Sequence, residues 1–153
     1  MVHLEEIASL LPPLGGQYHR LLLVAGPVGS GKTPLLKALC QKQDLPYLNV
    51  NLSLSRRLLE LTERERPLRV RRLFADLIDK QPADSVILDN IELLFDPSLH
   101  QDPLVCLQGL SRNKTLIVAW GGDYVNGVLT YAEPGHPEYR RYEHPEAVIV
   151  ALS

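Results

Sequence analysis

The chain has 153 residues, 45% of them hydrophobic and 22% charged, which is the size and composition of one globular domain with its own core. Its net charge of −2 excludes the strong basic excess of proteins that bind nucleic acid or membranes over their whole surface. No run approaches the roughly 18 apolar residues of a membrane helix, and residues 1–6 lack a signal-peptide pattern. We therefore expect a cytoplasmic protein with no membrane partner, whose Cys40 and Cys106 stay reduced.

The first half of the chain alternates strand-like apolar runs with helical patterns. Residues 1–16 are predicted to form a helix and a linker rich in proline and glycine. Leu21 to Ala25 is a continuous apolar run typical of a buried parallel strand, and a helix is predicted over Leu35 to Gln43. Tyr47 to Val50 is predicted as a second strand, with Ser53 opening the next helix.

The second half continues the same alternation. A helix is predicted from Pro67, followed by a strand over Val86 to Asp89, a helix over Pro103 to Leu110 and a strand over Thr115 to Ala119. Residues 123–146 read as a hairpin or loop-rich excursion before a last apolar strand. Strands that alternate with helices in this way predict a parallel sheet of the α/β class.

A phosphate-binding motif, G-x-x-x-x-G-K-[ST], lies between the first strand and the helix that follows it. The predicted nucleotide-binding residues are Gly26, Pro27, Val28, Gly29, Ser30, Gly31, Lys32, Thr33 and Pro34. Glycines allow successive backbone N–H groups to form an anion-binding nest, and a helix N-terminus attracts phosphate. We expect ATP as the ligand, Lys32 as a catalytic contact to its phosphates and Thr33 as a ligand of Mg²⁺. A glycine-rich turn with an accidental lysine is the structural alternative, which the flanking strand and helix disfavour.

An acid ends the third predicted strand, where P-loop ATPases place the aspartate that holds the magnesium shell. Asp89 is therefore the second predicted metal residue, with Thr33. ATPases with this strand arrangement commonly carry a water-activating glutamate directly after the aspartate, but here that position is Asn90. Asn90 could orient water or serve as a turn residue, and Glu92 could act as the catalytic base or as a solvated capping acid. We expect slow hydrolysis.

One strand intervenes between the phosphate loop and Asp89, and in this order the chain resembles the additional-strand class of P-loop ATPases. The predicted fold is a three-layer α/β P-loop sandwich with a mostly parallel five-stranded sheet of order 5-1-4-3-2, whose fifth strand is Ala147 to Leu152. We expect one AAA+-like core domain over residues 1–153, without a helical lid. Trp120 would lie near the nucleotide or, as the commoner alternative, in the packed core.

Several arginines fall within one short window: Arg56, Arg57, Arg64, Arg66, Arg69, Arg71 and Arg72. One interpretation is a solvated helix pair with i,i+4 ion pairs such as Arg72 to Asp76. The others are a phosphate-contacting surface for DNA or RNA, and an arginine that completes the site of a neighbouring subunit. Candidates for this trans arginine are Arg56, Arg57 and Arg112.

The chain resembles a known family over nearly its whole length: the BrxF-like small P-loop, AAA+-like ATPase component of type 3 BREX bacteriophage-exclusion systems. The resemblance is carried by Gly26–Thr33, by Pro46–Asn51 with Leu54–Leu59, by Leu88–Pro97 and by Leu129–Tyr139. The stretch from Asp89 to Glu92 is also similar to the acidic motif of replication-initiator-like AAA+ proteins. The resemblance implies a cytoplasmic prokaryotic protein that works inside a multi-protein defence complex.

These observations lead to one functional prediction and one alternative. We expect a P-loop ATPase that binds ATP and Mg²⁺, hydrolyses ATP weakly alone, and assembles with itself and with other defence proteins. DNA is a further candidate partner. The alternative is a non-hydrolysing, nucleotide-gated interaction or DNA-binding module, in which Asn90 marks a lost base. A small-molecule kinase is disfavoured by the additional strand.

Overall fold

The computed structural model describes residues 2–152, which form two β-sheets and a set of α-helices. The strands are β1 Leu21–Ala25, β2 Tyr47–Asn49, β3 Ser85–Asp89, β4 Thr115–Trp120, β5 Tyr124–Val125, β6 Val128–Tyr131, β7 Arg140–Glu143 and β8 Val148–Ala151. The helices are α1 Val2–Leu14, α2 Lys32–Gln43, α3 Val50–Leu58, α4 Arg66–Asp79 and α5 Pro103–Leu110, with 3₁₀ turns at Glu92–Phe95 and Pro97–Leu99.

The central sheet has five parallel strands in the order β2-β3-β4-β1-β8. Counting β8 as the fifth strand of the sheet, this is the predicted order 5-1-4-3-2, so the predicted fold class is confirmed. Every residue of β1 and of β4 is buried, as expected for central strands covered on both faces. Because parallel strands share one direction, the ends of β1, β3 and β4 meet at one edge of the sheet.

Helices cover both faces of this sheet. On one face α1 and α2 pack through residues such as Ile7 and Leu36 against Leu22 and its neighbours. On the other face α3, α4 and α5 pack against alternate strand residues such as Leu23, because successive strand side chains point to opposite faces. Each fully buried side chain of this size stabilises the fold by about 1.5–3 kcal/mol. None of the helices in residues 2–152 has the length and apolar character needed to cross a bilayer.

The start of α3 differs from the prediction. The second strand ends at Asn49 instead of Val50, and the helix begins at Val50, not at Ser53. The reason is the cap: the Asn49 side chain accepts a hydrogen bond from the Leu52 backbone N–H at 3.0 Å. A short strand followed at once by a capped helix brings the first turn of α3 to the edge of the sheet where β3 ends.

A second, antiparallel sheet of order β5-β6-β7 lies between β4 and β8 along the chain. It is attached through aromatic side chains: Tyr131 stacks on Phe95 with ring centroids 3.6 Å apart, and Phe95 packs edge-on against Trp120 at 5.2 Å. Trp120 is fully buried, and its Nε1 donates to the Thr130 carbonyl oxygen at 2.9 Å. Of the two alternatives for Trp120, the structure therefore supports the packed core.

The close approach of Gly122 to β6 gives a test of this attachment. A Cβ added at Gly122 would overlap the Thr130 carbonyl group, whereas one added at Gly121 would meet only Tyr131 Cε2, at 3.6 Å. We expect Gly122→Ala to destabilise the protein by about 1–3 kcal/mol through forced backbone movement. The matched control Gly121→Ala should have little effect. Equal urea midpoints for the two variants would contradict the prediction.

Candidate nucleotide site

The phosphate loop connects β1 to α2 and takes its shape from two glycines in left-handed backbone conformations. Gly29 has a φ of 84° and Gly31 a φ of 94°, which side-chain-bearing residues rarely adopt. The loop begins at Gly26, whose N–H donates to the Trp120 carbonyl oxygen at 3.1 Å and so ties the loop to the end of β4. The helix then starts at Lys32 and points its positive N-terminal end into the loop.

The Lys32 ammonium group lies across the loop. Its Nζ donates to the carbonyl oxygens of Gly26 at 2.6 Å and of Pro27 at 2.8 Å. Partial burial lowers the pKa of Lys32, while the nearby carboxylates of Asp89 and Glu92 act in the opposite direction. A cation held among main-chain carbonyls at a helix N-terminus is placed to exchange those partners for phosphate oxygens.

The Asp89 carboxylate lies at the end of β3 and is only 3% exposed. Its Oδ2 accepts hydrogen bonds from Thr33 Oγ1, at 2.7 Å, and from the Tyr47 hydroxyl. Its Oδ1 accepts the Asn90 backbone N–H at 2.9 Å. Burial, and then the hydrogen bond to Asp89, raise the pKa of Tyr47 well above its usual range. A tyrosine hydroxyl is protonated at neutral pH in any case, and here it donates to the carboxylate.

The turn after Asp89 is held by Asn51 at the start of α3. The Asn51 backbone N–H donates to the Asn90 carbonyl oxygen, and Asn51 Oδ1 accepts the Leu93 backbone N–H, both at 2.8 Å. Asn90 has a φ of 54°, a left-handed conformation that asparagine tolerates better than most residues. The turn-residue interpretation of Asn90 therefore has a structural basis. Glu92 follows as an exposed residue at the start of the first 3₁₀ turn.

These elements enclose a cleft of about 370 Å³ lined by Val28, Gly29, Gly31, Lys32, Thr33, Pro34, Asp89, Asn90 and Glu92. The structure thus brings the predicted phosphate, metal and base residues together at one edge of the sheet. The other predicted nucleotide-binding residues, Gly26, Pro27 and Ser30, do not line the cleft. A second cleft of about 370 Å³ lies beside Tyr18, His19 and Glu146, near the start of β1 and β8 and away from the phosphate loop.

The arginines of the 56–72 window and Arg112 do not line the cleft beside the phosphate loop. Arg56 and Arg57 lie in the last turn of α3, and the Arg112 guanidinium stacks on the Tyr18 ring at 4.3 Å. The ion pair between Arg72 and Asp76, which belongs to one of the three interpretations of these arginines, does not form in the structure. Within residues 2–152, none of the arginines of the 56–72 window has a carboxylate oxygen within 4.0 Å. Ion pairs between exposed side chains stabilise a protein little, because the loss of side-chain entropy offsets their weak attraction in water.

Sequence reasoning assigned no role to Tyr47 or Asn51, although both contact the turn that follows β3. The Tyr47 hydroxyl and its Asp89 partner are 42 positions apart, as are Asn51 Oδ1 and Leu93. The available signal was the pair of asparagines, Asn49 and Asn51, at the end of the strand that precedes the Asp89 strand. That signal predicts a shared sheet edge but not which atoms meet.

A parallel sheet of this order, with a glycine loop leading into α2 and a buried acid at the end of β3, defines the class of P-loop nucleotide-binding proteins. Residues 22–108 match the AAA family, the ATPase family associated with various cellular activities, and the chain belongs to that family. A comparison of the sequence with curated proteins gives no match.

Solved structures share the fold at low sequence identity. A DNA replication initiation factor superposes with a TM-score of 0.55 at 18% identity, over 97% of this chain and 44% of that one. AMPPCP-bound DnaA from Aquifex aeolicus gives 0.51 at 16% identity, over 97% and 44%. PCH-2 from C. elegans gives 0.50 at 16%, over 97% and 41%. The chain spans less than half the length of these proteins.

The role of Asn51 in holding the turn is testable without nucleotide. Asn51→Ala removes the acceptor of the partly buried Leu93 N–H, and we expect a loss of about 1–3 kcal/mol in unfolding free energy. Hydrogen exchange at the Leu93 amide should become faster by a larger factor than exchange at the β1 amides, whose protection falls only with the global unfolding free energy. Asn113→Ala, at an exposed asparagine, is the control. Unchanged exchange at Leu93 would contradict the assignment.

Proposed function

We propose that this chain binds ATP with Mg²⁺ in the cleft beside the phosphate loop, and that it hydrolyses ATP slowly alone and faster when assembled. The observation that carries this proposal is the hydrogen bond from Thr33 to Asp89, 2.7 Å long, directly beside Lys32 at the N-terminus of α2. The glycine loop, the hydroxyl that we propose as a metal ligand and the acid thereby lie side by side. Membership of the AAA family supports nucleotide as the ligand.

The residues present fit a magnesium ion. Mg²⁺ prefers oxygen ligands and commonly takes only one or two from the protein, with the rest from phosphate and water. The Thr33 hydroxyl would supply one ligand, and Asp89 would accept hydrogen bonds from waters of the metal shell. When bound, the ion would neutralise charge on the β- and γ-phosphates. Lys32 would contact the same phosphates.

Slow hydrolysis follows from the acids that are available. The Asn90 carboxamide cannot accept a proton from water as a carboxylate does, and its backbone is committed to the turn. Glu92 lines the same cleft and is exposed, so it is the acid that we assign as the base. A neighbouring subunit would complete the site with Arg56, Arg57 or Arg112, which is why we expect assembly to raise the rate.

We propose the cytoplasm of a prokaryote as the setting, and a BREX phage-defence complex as the assembly in which this ATPase works, with other defence proteins as partners. This rests on the resemblance of the segments Leu88–Pro97 and Leu129–Tyr139 to the BrxF-like family. The first of these segments contains the acid and the turn beside the cleft. The second contains the end of β6, whose Tyr131 packs on Phe95.

A nucleotide-gated interaction or DNA-binding module is the second candidate function. The observation in its favour is the set of arginines in α3 and α4 without carboxylate partners, beside exposed Leu59 and Leu68, which are 75% and 82% exposed. Bound ATP would then order a surface for a partner or for DNA phosphates. In a single-turnover experiment, bound ATP that persists unhydrolysed would favour this module over the ATPase.

The first test is ATP hydrolysis by the purified protein over a wide range of protein concentrations. We expect specific activity to rise with concentration and to vanish in Lys32→Ala, whose affinity for ATP should fall about 10- to 100-fold with the loss of charge-assisted hydrogen bonds. Lys42→Ala, at an exposed lysine of the last turn of α2, is the matched control. If wild type and Lys32→Ala release phosphate equally at every concentration, the ATPase proposal fails and the nucleotide-gated module takes its place.

The assignment of the base predicts a different pattern for Glu92→Gln. This change keeps the side-chain shape but removes the proton acceptor, so we expect kcat to fall about 10²- to 10⁴-fold with ATP affinity close to wild type. Steady-state kinetics and equilibrium ATP binding separate the two effects. Glu133→Gln, outside the cleft, should change neither quantity. Full activity in Glu92→Gln would remove Glu92 from the mechanism.

A further inference from the structure

Tyr47 lies at the start of β2 and bridges two elements of the nucleotide site. Its strand pairs with β3 so that Asn49, not Tyr47, lies beside Asp89 in the register. The Tyr47 ring packs against the core on the α2 side of the sheet, and the Lys37 ammonium of α2 lies 5.8 Å from the ring centroid. From this position its hydroxyl reaches forward along the sheet to donate to Asp89 Oδ2.

The hydrogen bonds to Asp89 determine which of its oxygens has a vacant lone pair. Oδ2 accepts from both Thr33 and Tyr47, and so uses both of its lone pairs. Oδ1 accepts the Asn90 N–H and retains one. Without the Tyr47 hydroxyl, both carboxylate oxygens of Asp89 would have a vacant lone pair. Either oxygen could then accept a hydrogen bond from the waters of the metal shell.

We propose that Tyr47 is a positioning residue for the magnesium ion, an inference that rests on the proposed function of the cleft. The Tyr47 hydroxyl occupies the second lone pair of Asp89 Oδ2. Oδ1 is therefore the oxygen that accepts a hydrogen bond from the waters of the metal shell. Tyr47 does not line the cleft in which we propose that nucleotide and ion bind. It acts through Asp89, as hydrogen-bond partners of metal-site carboxylates do elsewhere.

The variant Tyr47→Phe distinguishes the positioning role from a purely structural role of Tyr47. This variant keeps the ring that packs on α2 and removes only the hydroxyl. The structural role predicts some loss of stability with no change in how Mg²⁺ affects nucleotide binding. The positioning role predicts ADP affinity within about 2-fold of wild type in EDTA, but a gain in affinity on adding Mg²⁺ that is smaller by about 10-fold.

The experiment is isothermal titration of ADP into the full chain, with EDTA and at a series of Mg²⁺ concentrations, for wild type, Tyr47→Phe and Tyr18→Phe. Tyr18 is 66% exposed and lies by the other cleft, so Tyr18→Phe should behave as wild type. An unchanged Mg²⁺-dependent gain in Tyr47→Phe overturns the inference. Wild type that binds no ADP, or binds it without regard to Mg²⁺, overturns the proposed function instead.

A double-mutant cycle tests the route through Asp89 and does not depend on the stability of one variant. In Asp89→Asn the metal-shell acceptor is already impaired, so adding Tyr47→Phe should change the Mg²⁺ dependence by less than about 2-fold. Additive losses in the double variant would show that Tyr47 acts by another route and would overturn the inference. Urea midpoints of all variants establish that each is folded under the titration conditions.

Discussion

The buried carboxylate of Asp89 is the constraint on which the arrangement of this protein depends. A carboxylate that is 3% exposed must be satisfied by hydrogen bonds, and Thr33, Tyr47 and the Asn90 N–H supply them. These donors come from α2, from β2 and from the turn after β3. One buried charge therefore sets the mutual positions of the phosphate-loop helix, the edge strand and the turn that lines the cleft.

The same edge of the sheet links the cleft to the second sheet. Trp120 accepts the Gly26 N–H through its backbone and donates to Thr130 of β6 through its indole. Phe95, at the end of the 3₁₀ turn that begins with Glu92, packs on both Trp120 and Tyr131. Aromatic packing of this kind adds about 0.5–1.5 kcal/mol per pair to the energy of burial. The loop and the turn of the candidate site thus share a common support.

The structure also explains how a common fold persists at identities of 16–18% to the solved structures. The sheet needs apolar residues at buried strand positions, and the loop needs glycine where φ is positive. Many sequences meet these requirements, because packing tolerates hydrophobic exchange of similar volume.

Much of the fold was predictable from the sequence because its signals are local. Apolar runs of strand length, helical periodicity and the glycine motif from Gly26 to Thr33 predicted the alternation and the loop of the candidate site. The sheet order, which the structure confirms, was predicted from the resemblance of the strand arrangement to additional-strand P-loop ATPases. Tertiary structure alone decided the start of α3 at Val50, the burial of Trp120 and the partners of Asp89. The physical reason is that periodicity specifies which face a side chain takes, whereas hydrogen bonds between residues 42 positions apart depend on strand register and helix placement.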